Sequence, residues 1–185
     1  MEKEFTVTAF SENNVGLLNR ISIIFTRRRV NIESLTVSAS SIQGIHKFTI
    51  VCIARQEQIE KLVRQIEKLV EVLRAFYHTS EEIIHQEVAL YKVTTEMLIK
   101  SNSVESIVLK HGARILDITP DYVVIEKTGN REETQALFEL LYPFKVTQFT
   151  RSGRVAVTKD PRERLTDYLK EMDSLERNES ARNLS

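Results

Sequence analysis

Tryptophan is absent from this sequence, cysteine occurs once, at Cys52, and the 26 basic side chains are cancelled by 26 acidic ones. A lone cysteine allows no internal disulfide and no cysteine-based metal cluster, which fits a reducing compartment. A net charge of zero weighs against a nucleic-acid partner, because such proteins normally carry a basic excess that neutralises phosphates. No apolar run approaches the roughly 20 residues that span a bilayer, and "MEKEFTV" lacks the layout of a signal peptide, so a soluble, cytoplasmic protein away from membranes is expected. With five glycines in all, neither GxGxxG nor GxxxxGK[ST] occurs, which leaves no recognisable phosphate loop.

What the chain does have is 42% hydrophobic residues over 185 positions, enough for one or two small cores. Phe5, Val7 and Ala9 alternate with Thr6 and Thr8 as a strand with one buried face would. From Leu17 the spacing becomes helical, with Leu18, Ile21, Ile24 and Phe25 on one face, and the run ends at Arg27, Arg28 and Arg29, whose charge suits a helix C-terminus. Alternation resumes through Leu35, Val37 and Ala39, and "SSIQGIH" reads as a hairpin connection into "KFTIVCIA". Ile59, Leu62, Val63, Ile66, Leu69 and Val70 predict a second helix, and Leu73, Ala75 and Tyr77 a fourth strand. The order is βαββαβ.

The second half repeats that order. "QEVALYKVTT" predicts a strand, and the helix around Val104, Ile107 and Val108 stops at Gly112. "ARILDIT" and "YVVIEKT" flank a turn at Pro120 and Asp121. Asn130 with Glu133 has the capping-box pattern and opens a helix through Leu137, Leu140 and Leu141, and "KVTQFTRSGRVAVT" closes the unit. The fold class is α+β: two ferredoxin-like domains, residues 1–80 and 81–159, followed by a helical tail over 160–185 with a frayed end. In the tail, Asp160, Pro161 and Glu163 suit the N-cap, N1 and N3 positions, and Leu165, Tyr168, Leu169, Met172 and Leu175 form an apolar stripe. That stripe docks on its own domain, on a second copy, or on another partner.

Catalytic equipment is sparse. His46, His78, His85 and His111 lie in separate elements or loops, with no spacing that sets two on one helical face, so neither a metal site nor a catalytic residue is expected. Cys52 alternates with Phe48 and Ile50 and reads as a small core residue. The feature with chemical potential is "ENNVGLLNRI", Glu12 to Ile21, between the first strand and the first helix. Asn13 or Asn14 can cap that helix, and Gly16 in its first turn leaves backbone N–H groups able to receive a carboxylate. An Asn oxygen could accept from an ammonium, and an aliphatic side chain could lie against Leu17 or Leu18, so the end suits a free amino acid. An ordinary capped helix explains the same residues.

"NNVGLLNRISIIFTRRRVNIESLTV" resembles the segment that marks the small subunits of acetolactate synthase, also called acetohydroxyacid synthase, whose N-terminal part is an ACT domain. "LVEVLRAF", "ARILDITP" and "TRSGRVAV" resemble further family segments in the same order, so the likeness runs from about Phe5 to Thr158. The resemblance implies a non-catalytic subunit that binds the catalytic large subunit, raises its activity and confers feedback inhibition by a branched-chain amino acid, typically valine. Thiamine diphosphate, magnesium and the flavin FAD are then expected in the catalytic partner and no cofactor in this chain. Carried over by position, Asn13, Gly16, Leu17 and Leu18 form one ligand-contacting segment and Asn31 with Ile32 the other. A helix of about 12 residues separates them by about 18 Å, so one chain cannot close the pocket. A homodimer with antiparallel first helices would bring Asn13 and Gly16 of one copy to Asn31 and Ile32 of the other. The family usually has glycine and an aromatic residue where Arg29 and Val30 stand, and a left-handed cap at Arg29 would cost on the order of 1 kcal/mol relative to glycine. A free-standing amino-acid sensor acting on another enzyme or regulator is the alternative. An RNA-binding ferredoxin-like fold would want exposed aromatics on its central strands, and "KFTIVCIA" offers only Phe48.

Overall fold

The computed structural model describes residues 1–96, 103–162 and 167–170. In the first half, β1 (Lys3–Glu12), α1 (Leu17–Arg27), β2 (Ile32–Ala39), β3 (Ile45–Ala54), α2 (Gln56–Ile66) and β4 (Val72–His78) follow in the expected βαββαβ order. The sheet order is β2-β3-β1-β4, which puts the two strands that precede the helices at its centre. Phe5, Val7 and Ala9 of β1 stand opposite Cys52, Ile50 and Phe48 of β3, and these six share the buried face because side chains two apart point the same way. Leu17, Ile21 and Phe25 of α1 and Ile59, Leu62, Val63 and Ile66 of α2 complete that core.

Four local expectations need correction. The buried stripe of α1 begins at Leu17, while Leu18 is 47% exposed, one position round the helix. Leu69 and Val70 lie beyond the end of α2, and Val70 is exposed on the loop into β4. In β4 the residues fully inside are Val72 and Ala75 rather than Leu73 and Tyr77, because a register shift opposite Phe10 and Ser11 changes the alternation there. On β2, Val37 and Ala39 stay exposed, as befits an edge strand.

The second half contains β5 (Ile83–Thr94), α3 (Ser103–Lys110), β6 (Arg114–Ile118), β7 (Tyr122–Gly129), α4 (Arg131–Leu141), β8 (Val146–Arg151) and β9 (Val155–Thr158). Its sheet runs β6-β7-β5-β8, with β9 also paired to β5, so the closing segment is two strands broken at Ser152–Arg154 rather than one. Ala89, Tyr91, Val93, Val123 and Ile125 meet Val104, Val108, Leu137 and Leu141 in its core. Tyr91 is fully buried and stays satisfied by donating its hydroxyl proton to the Thr134 carbonyl at 2.6 Å. The expected capping box is present: the Asn130 side chain accepts from the Glu133 N–H at 2.8 Å, and Glu133 accepts from the Asn130 N–H at 2.8 Å. Gly112 follows α3 with φ 58, the left-handed end its position predicted.

Contacts divide the chain into two compact units, Met1–Glu33 with Val37–Ile84 and Val157–Ser185, and Ser34–Thr36 with His85–Ala156. No helix among the described residues is long and apolar enough to cross a membrane. In the tail, the Asp160 carboxylate accepts from the Arg162 N–H at 3.0 Å, where the backbone bends at residues 159–162. Residues 167–170 are helical, and the Tyr168 ring lies 4.4 Å from the Arg74 guanidinium of β4. Glu163, Leu165, Met172 and Leu175 lie outside the described residues.

Candidate functional site

At the exit of β1 the backbone turns through a series of short hydrogen bonds. The Glu12 N–H donates to the Glu71 carbonyl at 3.0 Å and the Asn13 N–H to the Gly44 carbonyl at 3.3 Å, which ties this loop to two neighbouring turns. The Asn14 N–H donates back to the Glu12 carbonyl, and the Leu17 N–H to the Asn14 carbonyl. Gly16 is itself the N-cap of α1, at φ 85, and no side chain caps the helix. This corrects the expectation that Asn13 or Asn14 does so: the Asn14 amide instead donates to the Glu12 carboxylate at 3.3 Å, and Asn13 is exposed. A Cβ on Gly16 would meet nothing within 4 Å, so the left-handed backbone and not crowding is what calls for glycine here.

The result is a helix start whose Leu18 and Asn19 N–H groups have no acceptor within the helix and no side chain over them. Leu17 points into the core, whereas Leu18 offers an aliphatic surface at the same end. One turn along, the Arg20 guanidinium donates to the Glu71 carboxylate, and that hydrogen bond is the main reason the Glu71 carboxyl is held below the usual carboxylate range. The pair fixes the first turn of α1 to the segment before β4.

The other end of α1 closes in a different way. The Val30 N–H donates to the Phe25 carbonyl at 3.1 Å and the Arg29 N–H to the Thr26 carbonyl at 3.0 Å, with Arg29 at φ 53. This is a Schellman motif, with Phe25 and Val30 both buried as its apolar pair. Sequence reasoning raised a left-handed Arg29 without deciding it, because the usual glycine signal is missing; the structure has it, at a cost on the order of 1 kcal/mol. Asn31 follows, exposed, donating to the Glu33 carboxylate at 3.3 Å, and the half-buried Ile32 opens β2.

Asn13, Gly16 and Leu18 thus gather at one end of α1 and Asn31 and Ile32 at the other. Eleven helical residues at about 1.5 Å each separate the ends by about 16 Å. Within one chain the two groups do not meet. Among the described residues no three His, Cys, Asp or Glu side chains stand together as metal ligands.

A βαββαβ unit with a glycine-started first helix, followed by a second antiparallel sheet with helices, defines a chain of two ferredoxin-like domains whose first is an ACT domain. Residues 8–74 match the model of the small-subunit-like ACT domain of acetohydroxyacid synthase, and residues 86–160 match that of the small subunit of acetolactate synthase. The acetolactate synthase small subunit of Mycobacterium bovis is 32% identical over 160 residues, covering 86% of this chain and 95% of that protein. Its Bacillus subtilis counterpart is 31% identical over 86% of this chain and 91% of its own length. The crystal structure of the acetolactate synthase small subunit from Thermotoga maritima superposes with a TM-score of 0.78 at 28% identity, covering 85% of this chain and 98% of that one. The chain belongs to the acetolactate synthase small-subunit family.

Proposed function

We propose that this chain is the non-catalytic, regulatory subunit of a thiamine-diphosphate-dependent acetolactate synthase. It binds the catalytic large subunit, raises its turnover and makes it answer to a branched-chain amino acid, with valine the first candidate. Thiamine diphosphate, magnesium and FAD belong to the catalytic partner.

The observation that carries the effector half of this reading is the start of α1, where a left-handed Gly16 replaces a capping side chain and leaves donors open to a carboxylate. Leu18 supplies an apolar contact beside it. Asn31 and Ile32 lie about 16 Å away, at the far end of the helix. A twofold that sets two α1 helices antiparallel joins the ends of two chains into two equal pockets, so that occupancy and association geometry are coupled.

Calorimetry of the full chain with valine, leucine and isoleucine tests the effector. One of them should bind at about one per chain, and silence from all three at millimolar concentration would remove the site. Gly16→Asp should abolish binding by putting a fixed carboxylate where the ligand's own would go. Gly16→Asn carries the same backbone strain without the charge and should bind better than Gly16→Asp. Added to its large subunit, the chain should raise acetolactate formation from pyruvate and render it sensitive to the amino acid that binds. Activity unchanged by the chain would end the regulatory reading.

A further inference from the structure

We propose that the C-terminal segment from Asp160 to Leu175 is a strap of this same chain, laid with its apolar stripe along the face of the first sheet that α1 and α2 leave free.

Burial on that face is the first observation. Phe5, Val7 and Ala9 turn toward the helices, so Thr6 and Thr8 of β1, Thr49, Val51 and Ile53 of β3, and Phe76 and His78 of β4 point the other way. A side chain on a bare sheet face stays partly wet. Ile53 does so, at 50% exposure, yet Val51 two residues before it is at 3%, Thr49 at 4% and Thr6 at 1%. The middle of the face is therefore covered, and the cover ends between Val51 and Ile53.

Two anchors of the tail lie at opposite ends of β4. At one, the Lys159 N–H donates to the Glu82 carbonyl at 2.9 Å and its ammonium to the Glu81 carbonyl at 2.7 Å, just past the end of that strand. At the other, the centre of the Tyr168 ring lies 4.4 Å from the Arg74 guanidinium, which also stands 3.9 Å from the Glu67 carboxylate. Wound as a helix, the segment from Asp160 to Tyr168 rises about 12 Å. β4 covers roughly 13 Å from Arg74 to His78. The two spans match, which sets the tail antiparallel to β4. A helix about 10 Å wide, over strands about 4.8 Å apart, covers two or three of them and so reaches Thr49 and Val51.

In the described helical turn, Tyr168 and Leu169 of the stripe are half-buried while Asp167 and Lys170 are exposed. Leu165, Met172 and Leu175 continue that stripe in the sequence. Continuity selects the occupant: the chain enters this face at Lys159, and its own Tyr168 meets Arg74.

The test is iodoacetamide labelling of the full chain carrying Thr49→Cys, with each thiol followed by tandem mass spectrometry. Cys52, on the face that the helices cover, labels only when the domain opens and is the reference. With the native tail, position 49 should label as slowly as Cys52. Tyr168→Glu with Leu169→Glu keeps the tail helix-forming but makes its stripe costly to bury, and position 49 should then label roughly tenfold or more faster than Cys52. Thr6→Cys gives the same reading from β1 should Thr49→Cys fail to fold. A probe that stays as slow as Cys52 in the double variant overturns the strap, because something else covers the face. A probe that labels fast under the native tail also overturns it, and slowing on addition of the large subunit would then give the face to that partner. Dilution by about a hundredfold should leave the rates unchanged; a probe that speeds up would assign the cover to a second copy and overturn the intrachain strap.

Discussion

Single side chains here show how far burial alone sets chemistry. Cys52 is fully buried opposite Phe5, and burial, with smaller contributions from the Glu4 and Glu33 carboxylates, pushes its thiol up to about 12. At pH 8 it therefore holds almost no thiolate, the nucleophilic form. Iodoacetamide should leave the native chain unlabelled over hours and modify it fully in guanidinium chloride, as read by mass spectrometry; rapid native labelling would show that β3 opens readily. Glu126 is the opposite case, an acid buried within β7 yet kept ionised. The Thr128 hydroxyl donates to it at 2.6 Å and Arg114 adds a charged partner, so its carboxyl lies below the usual range. The strand was legible in "YVVIEKT", but the burial of its glutamate was not. That depends on Arg114 of the adjacent β6, which no local pattern announces.

Among the elements, the helix that starts from a recognisable cap and the one that does not make a useful contrast. The reciprocal bonds of Asn130 and Glu133 were readable from a three-residue spacing because both partners lie in one local segment. Asn130→Ala removes an acceptor from the Glu133 N–H and should cost about 1 kcal/mol, while Asn130→Asp should be close to neutral. Hydrogen exchange of the amides from Arg131 to Thr134 should quicken in the first variant only; equal protection in both would mean that the cap is idle. The start of α1 misleads the same reasoning, since two asparagines stand before it and neither caps it. Its glycine was legible and its geometry was not, because the loop is shaped by bonds to Glu71 and Gly44, distant in sequence. The Arg29 turn was harder still to read, as its commonest marker, glycine, is absent. The βαββαβ order survived these local departures because it rests on many buried positions at once, from Phe5 to Ile66, and a bulge or a skipped residue changes few of them.

At the scale of the whole molecule, the proposed pocket makes a demand that no single chain can meet. If each site takes Asn13 from one protomer and Asn31 from its partner, Asn13→Ala and Asn31→Ala should each disable both sites of a homodimer. Mixing the two variants and allowing exchange produces heterodimers in which one pocket carries both lesions and the other carries neither. Half the binding capacity per heterodimer should return, with an affinity close to that of the unaltered chain at the restored site. Calorimetry gives the stoichiometry, and native mass spectrometry of differently tagged chains gives the fraction exchanged, so the expected capacity is fixed before the titration. A pocket formed within one protomer could not recover in this way, because each chain would keep its own lesion. The 16 Å estimated between the two ends of α1 is what makes the experiment decisive: it is more than four times the roughly 3.6 Å that one extended residue spans, so both asparagines of one chain cannot hold the same small ligand. Heterodimers that exchange fully and still bind nothing would sink the intersubunit site while leaving the family and the fold as they stand.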